Sequence, residues 1–327
     1  MGIRNLNRFI RDHCTTESIK CVPVSHLSGK KIAVDISIYI YKFVGDECLV
    51  ENMYLMLSIF KHYNVIPIFV FDGKPPTEKK ELLIKRKNDK KYAESEYNRL
   101  KENLKSRDID DDEKQEMITT MDLLKKQFVY IQKDQINMIK EMIVSYGMTY
   151  YEANGEADEL CALLVLKKIV WACLSEDMDM FVYGCSKVLR YFSLLNHTLV
   201  LYDTKKIVEE LGLTQKEFRE ICVLSGTDYN IQSNLDTENM NLHKVLKLFK
   251  KYYKTDKKTD FYNWLQESGN THLDYELLKS VYIIFDLPYN EYCDEVDNLK
   301  IVNGCVDKEK LQSILKLDGF IFPTISV

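Results

Sequence analysis

The sequence predicts an α/β protein: a central, mostly parallel sheet with helices on both faces, a helical arch insertion and a helical C-terminal region. Three observations carry that prediction. Short apolar runs of strand length each close on an acid, and the stretches between them have helical character. Residues 74–130 are charged and poor in glycine, which suits long helices better than a loop.

The runs are Lys31-Ile-Ala-Val-Asp35, Ile66-Pro-Ile-Phe-Val-Phe-Asp72 and Ile169-Val-Trp-Ala-Cys-Leu-Ser-Glu-Asp177. Being apolar on both faces, they belong in the middle of a covered parallel sheet. Ligands of such sheets gather outside the carboxyl ends of the strands, so the three terminal acids surround one crevice. From Lys74 to about Tyr130 the pattern predicts two long, mostly solvent-facing helices. They break near 106–113, where Asp108-Ile-Asp-Asp-Asp-Glu113 stands. More than fifty residues exceed what a plain crossover needs, and the alternative is a partly disordered tether. Beyond residue 204 helices are expected at Thr204 to Leu211, Thr214 to Leu224 and Leu242 to Tyr253. The last ninety residues carry no clear strand or catalytic motif. The expected organisation is a first core portion at 1–73, the arch at 74–130, a second core portion at 131–230 and a helical region at 231–327.

With 46% hydrophobic and 29% charged residues the chain can bury a sizeable core. No run of 18 apolar residues suggests a membrane span, and the Arg-bearing N-terminus lacks the apolar stretch of a secretion signal. The expectation is an intracellular protein, nuclear or cytoplasmic, acting as a monomer. Nine cysteines without a C-x-x-C pair suggest reduced, mostly buried thiols rather than zinc or disulfides. The net charge is -5, yet residues 79–91 hold seven cations against Glu81 and Asp89, and residues 244–258 hold seven lysines against Asp256. Basic patches on an acidic protein suit a nucleic-acid track beside a carboxylate site, and solvated helix faces are the plainer alternative.

Seven acids fall in short motifs: Asp35, Asp72, Glu156, Asp158, Asp177, Asp179 and Asp228. Taken singly, an Asp at a strand end is more often a cap or turn residue. Asp177 and Asp179 are two apart, so where the chain is extended they point the same way. Seven carboxylates pressed together would repel and take up protons, which implies hard divalent cations with oxygen ligands, Mg2+ or Mn2+. Two such ions ~4 Å apart would polarise a phosphodiester and stabilise its leaving oxygen.

Met1-Gly2-Ile3, Val34-Asp35-Ile-Ser37, Phe71-Asp-Gly-Lys-Pro-Pro76, Gly155-Glu-Ala-Asp-Glu-Leu-Cys-Ala162, Ser175-Glu-Asp-Met-Asp179 and Leu224-Ser-Gly-Thr-Asp-Tyr229 stand in this order along the chain. They resemble the motifs of the flap-endonuclease and xeroderma-pigmentosum-G type 5′-nucleases over residues 1 to about 230. The resemblance implies a structure-specific 5′-nuclease that hydrolyses DNA in replication or repair, with substrates such as 5′ flaps and single-strand/duplex junctions. It implies Asp35, Asp72, Glu156 and Asp158 for a first metal, and Asp177, Asp179 and Asp228 for a second. Lys79 and Arg86, seven and fourteen residues beyond Asp72, match the family's phosphate-steering cations. Two helical turns apart, they would share a face. Tyr41 matches an aromatic that stacks on the terminal base, a core tyrosine being the other reading, and Gly2 lies where the backbone meets substrate.

The pattern also departs from the family. Asp158 stands where a Glu is usual, with Glu159 as a neighbouring alternative. Asn230 to Met240 lacks the glycines of the family's duplex-binding hairpin, so Lys244, Lys247, Lys250 and Lys251 are expected to hold duplex through side chains. Gln312-Ser-Ile-Leu315 begins like a sliding-clamp motif, but Asp318 and Gly319 occupy its aromatic positions, so no clamp contact is expected. Two other functions compete: a relative directed to RNA, and a non-catalytic nucleic-acid-binding scaffold. Retention of all seven acids weighs against the scaffold.

Overall fold

The computed structural model describes the chain except residues 1, 2, 4, 107–110, 231–239, 256–258, 271–272, 288–295, 297–298 and 321–327. The first part runs α1 (Leu6–His13), β1 (Ile19–Pro23), β2 (Lys31–Asp35), α2 (Ile36–Gly45), α3 (Leu49–His62) and β3 (Ile66–Phe71). A 3-10 turn, Thr77–Lys79, leads into the arch helices α4 (Lys80–Ser106) and α5 (Asp111–Lys125), which pack on each other. Then come α6 (Lys133–Ser145), β4 (Thr149–Glu152), α7 (Ala157–Leu166), β5 (Ala172–Leu174), α8 (Asp179–Tyr183), β6 (Lys187–Ser193) and β7 (Thr198–Asp203). The rest is helical: α9 (Thr204–Glu210), α10 (Gln215–Leu224), α11 (Leu242–Tyr253), α12 (Phe261–Glu267), α13 (Tyr275–Phe285) and α14 (Lys308–Leu317).

The seven strands form one sheet in the order β1-β7-β6-β5-β2-β3-β4, parallel from β6 to β4 and antiparallel at β6-β7 and β7-β1. From β2 the chain builds outward through β3 and β4, then returns to place β5 and β6 on the other side. The order therefore reverses between β2 and β5, and the crevice of such a sheet lies outside the carboxyl ends at that point. Successive side chains leave a strand on opposite faces. Ala33, Ile68, Val70 and Cys173 accordingly pack with α1, α7, α8 and α10, while Ile32, Val34, Phe69 and Leu174 pack with α2, α3, α6 and α14.

Four strands lie outside the predicted set. β4 is only Thr-Tyr-Tyr-Glu at one sheet edge, β1 is the other edge, and β1, β6 and β7 mix polar with apolar residues. β5 is shorter than its apolar run, since Ile169 and Val170 still donate to Leu164 O at the end of α7. The predicted helices beyond residue 204 match α9, α10 and α11 within a residue or so. Of the eight described cysteines four are buried and three exposed, so burial of the thiols is only partial.

The segment 300–307 returns along β4. Tyr151 Oη donates to Lys300 O at 3.3 Å, Val302 N to Thr149 Oγ1 at 2.7 Å, and Gly304 N to Gly147 O at 2.7 Å. Asp307 N reaches Ser145 O at 2.7 Å, and Lys61 Nζ holds Asn303 Oδ1 at 3.0 Å. A Cβ on Gly147, which lies at φ +70, would come within 2.6 Å of the Gly304 carbonyl, so this close approach requires glycine at 147.

Candidate active site

Asp35 ends β2, yet its side chain makes no capping bond to α2. Its Oδ2 accepts from Ser175 Oγ at 3.0 Å. Burial, with Asp72 and Asp177 nearby, pushes its carboxyl up to about 7. Asp72 follows β3 and accepts the Ala157 N–H at 2.9 Å, which places a carboxylate at the N-terminus of α7. That junction requires Gly73. Gly73 N donates to Gly155 O at 2.8 Å, and a Cβ there would sit 1.8 Å from Ala153 O. The glycine of Phe71-Asp-Gly thus brings the β3 and β4 loops into contact.

Glu156 precedes α7 and Asp158 lies in its first turn. Burial, then the Glu156 charge, holds Asp158 well above the usual carboxylate range, with Lys79 opposing. Glu159, one position on, is only half-buried and lies beside Gly155.

Asp177 and Asp179 do come together, but by a turn rather than by strand alternation. Met178 has helical φ and ψ, and Asp177 Oδ1 accepts the Asp179 N–H at 3.0 Å, as Asp side chains do in tight turns. Asp179 is 1% exposed, and its Oδ1 is buried without a hydrogen-bond partner. Burial, then Asp177 and Asp158, keeps its carboxyl protonated well beyond the usual range. Asp228 sits in the turn after α10 and pairs with Arg86 at 2.7 Å.

Lys79 belongs to the 3-10 turn before α4 rather than to the helix, and it pairs with Glu156 whereas Arg86 pairs with Asp228. It is 6% exposed, 2.7 Å from a Glu156 oxygen and 4.3 Å from the centre of the Tyr229 ring. Burial alone would lower its pKa, but Asp158 and Glu156 outweigh that and raise it. Tyr229 Oη also donates to Glu156 at 2.7 Å. The seven acids and both cations therefore share one crevice at the switch point. Among the described residues, no three acid, His or Cys side chains converge as closely as ligands around one ion. In their place two cations lie between the acids.

Tyr41 is 46% exposed with Lys90 Nζ 4.9 Å from its ring, so it is no core tyrosine; that place belongs to Tyr39. On α11, Lys244, Lys247, Lys250 and Lys251 are exposed while Val245 and Phe249 are buried and Leu248 partly so. Gly2 and most of the 230–240 segment lie outside the described residues. Gln312–Leu315 falls within α14, where Ile314 and Leu315 are buried.

Three further residues support the acids. Ser175 Oγ bridges Asp35 and the Asp177 N–H. Arg190, buried on β6, donates to the Glu176 carbonyl at 2.9 Å and touches Met178 Sδ at 2.8 Å. In Ser175–Asp179 the two aspartates thus face the crevice while Glu176 and Met178 face Arg190. Asn230 Oδ1 accepts from Thr227 N and Oγ1, and its amide donates to Val223 O, fixing the turn that carries Asp228. Alternation within Ser-Glu-Asp-Met-Asp hints at two opposed faces, but nothing local to Arg190 does.

The family models for the XPG N-terminal domain and the XPG I-region match residues 1–93 and 147–228. The chain belongs to the XPG and flap-endonuclease family. Those two regions carry all seven acids, and the gap between them is mostly arch. The chain is 30% identical over 267 residues to flap endonuclease 1 of Glossina morsitans morsitans, covering 75% of this chain and 66% of that one. It is 31% identical to flap endonuclease 1 of Glycine max over 70% of this chain and 62% of that one. The match thus spans less than two thirds of these XPG-family relatives. Among solved structures, the catalytic core of Rad2 in complex with DNA substrate superposes with TM-score 0.63 at 20% identity over 97% of this chain and 95% of that one. The flap endonuclease-1 from Methanococcus jannaschii gives 0.55 at 20% identity, over 92% and 97%. The fold is therefore shared with both.

Proposed function

We propose that the chain is a structure-specific 5′-nuclease, hydrolysing DNA phosphodiesters at flaps or single-strand/duplex junctions with two divalent metals, Mg2+ or Mn2+. The observation that carries this reading is the gathering of seven acids from separate segments against two paired cations, Lys79 and Arg86. Burial of so much like charge raises Asp35, Asp158 and Asp179 together, and two divalent ions would supply four of the five missing positive charges. An all-oxygen donor set and the unpartnered Asp179 Oδ1 suit such ions. Asp35, Asp72, Glu156 and Asp158 would hold one, and Asp177, Asp179 and Asp228 the other. Bound there, the pair supplies Lewis acidity at the scissile phosphate and an activated water. Lys79 and Arg86 come from the start of the arch and would exchange their carboxylates for the phosphate, concentrating positive charge where negative charge develops. Tyr41, exposed beside Lys90, would stack on the terminal base.

Cleavage of matched 5′-flap DNA, gapped DNA and single-stranded RNA, each with Mg2+ and with EDTA, tests this reading. Flap or gapped DNA should be cut in Mg2+ and left intact in EDTA. Cleavage that survives chelation would remove the metal mechanism, and preferential cutting of RNA would change the substrate.

A further inference from the structure

At the opposite, amino-terminal edge of the sheet, a cleft of about 600 Å3 opens beside the starts of β2, β5 and β6. Lys30, Lys31, Lys168 and Lys187 line it around Trp171. Lys30 Nζ lies 4.0 Å from the centre of the indole ring and Lys187 Nζ 5.7 Å. Among the described residues, none of the four ammonium groups is paired with a carboxylate. Burial, and next the Lys187 charge, pulls Lys30 below its ordinary value, so the cluster forms against its own repulsion.

We infer that this cleft is a second site on the protein, binding the phosphates of a nucleic-acid strand without metal. It lies one strand length from the acids, about 13 Å along β2 from Lys31 to Asp35 at ~3.3 Å per residue. The choice of nucleic acid as occupant rests on the nuclease reading; the demand for an anion does not. α7 ends at the cleft, and a helix C-terminus repels anions with about half a charge. Its last carbonyls are taken up by Lys167 N, Lys168 N and Ile169 N, and four full charges outweigh what is left. Trp171 adds a flat apolar surface against which a base can rest once Lys30 turns to a phosphate.

The chain has two tryptophans, so Trp264→Phe leaves Trp171 as the reporter. Titrating this protein in EDTA with an oligothymidylate should quench its emission, with an affinity that falls steeply with salt. Converting Lys30, Lys31, Lys168 and Lys187 together to Gln should weaken binding at least tenfold and lower the salt slope by about two to three units, at ~0.7 per single-strand phosphate. The matching Arg variants should keep the slope, which separates loss of charge from loss of fold. An unchanged slope in the Gln variant, or quenching by inorganic phosphate but not by the oligonucleotide, overturns the inference. Quenching by the oligonucleotide in a protein that cuts nothing would sink the nuclease reading and leave this site standing; cutting without quenching would do the reverse.

Discussion

Asp179 shows how the crevice trades stability for charge. Its Oδ1 is buried without a partner and its carboxyl is raised by Asp177 and Asp158, so the metal-free protein carries an uncompensated acid there. Asp179→Asn keeps the shape and removes the ionisable group. The metal-free variant should melt a few degrees higher at neutral pH, since ~1 kcal/mol moves the midpoint by roughly 2 °C in a chain of this size. It should also lose both cleavage and stabilisation by Mg2+. A lower melting point, or retained cleavage, would show that the residue serves the fold. Arg190 acts one step away, through the loop that bears Asp177 and Asp179. Arg190→Met should raise the Mg2+ concentration needed for half-maximal cleavage about tenfold or more while the rate at saturating Mg2+ recovers. Arg190→Lys should rescue little, because one ammonium cannot reproduce the planar fork. A loss of rate that metal cannot restore would show a different role. The seven acids are legible in the sequence because each sits in a short motif. Arg190 is not, nor are the bonds that Ser175 and Asn230 make, because their meaning depends on partners that only the fold supplies.

The legibility of the elements follows from their burial. β2 and β3 are almost wholly buried and read as apolar runs, whereas β6 and β7, an antiparallel pair, carry half-buried polar residues that blur their alternation. The arch is readable from composition alone, as 27 residues of α4 without glycine or proline. α11 is readable from period. Asn241 caps it by accepting the Lys244 N–H at 3.1 Å, and Val245 and Phe249 bury one face. Its lysines stand on the other, where they would meet duplex phosphate. Replacing Lys244, Lys247 and Lys251 by Ala should weaken duplex binding in Ca2+ and reduce the salt slope by about one unit for each phosphate no longer neutralised, while cleavage of short single strands changes little. If the slope does not move, these side chains only solvate the helix.

Over the whole molecule, one more buried acid stands outside the seven of the crevice. Glu220 on α10 is lifted to about 7 by burial, with Asp260 and Glu217 adding and Lys216, 3.9 Å away, opposing. Its folded pKa exceeds its ordinary 4.5, so the folded state holds the proton more tightly. The stability this gives is complete below about pH 4.5 and is lost as pH rises through about 7. Glu220→Gln should therefore melt at the higher temperature at pH 8 and show a flatter dependence between pH 5 and 8. Parallel melting curves for the two proteins would show that the carboxyl is solvated in solution.

The return of residues 300–307 along β4 bears on how the sheet ends. β4 is an outermost strand, and a bare outer strand offers its backbone as a template for a second chain. Here Thr149 and Tyr151 extend hydroxyls to the returning segment, and Gly304 presses onto Gly147. A homologous stretch of another copy would find those positions taken. The antiparallel hairpin at the other side leaves β1 short and ending in Pro23, a residue that cannot extend a ladder. The β4 rim of the sheet is thus covered by the returning segment 300–307, while at the other rim Pro23 stops the β1 ladder from lengthening.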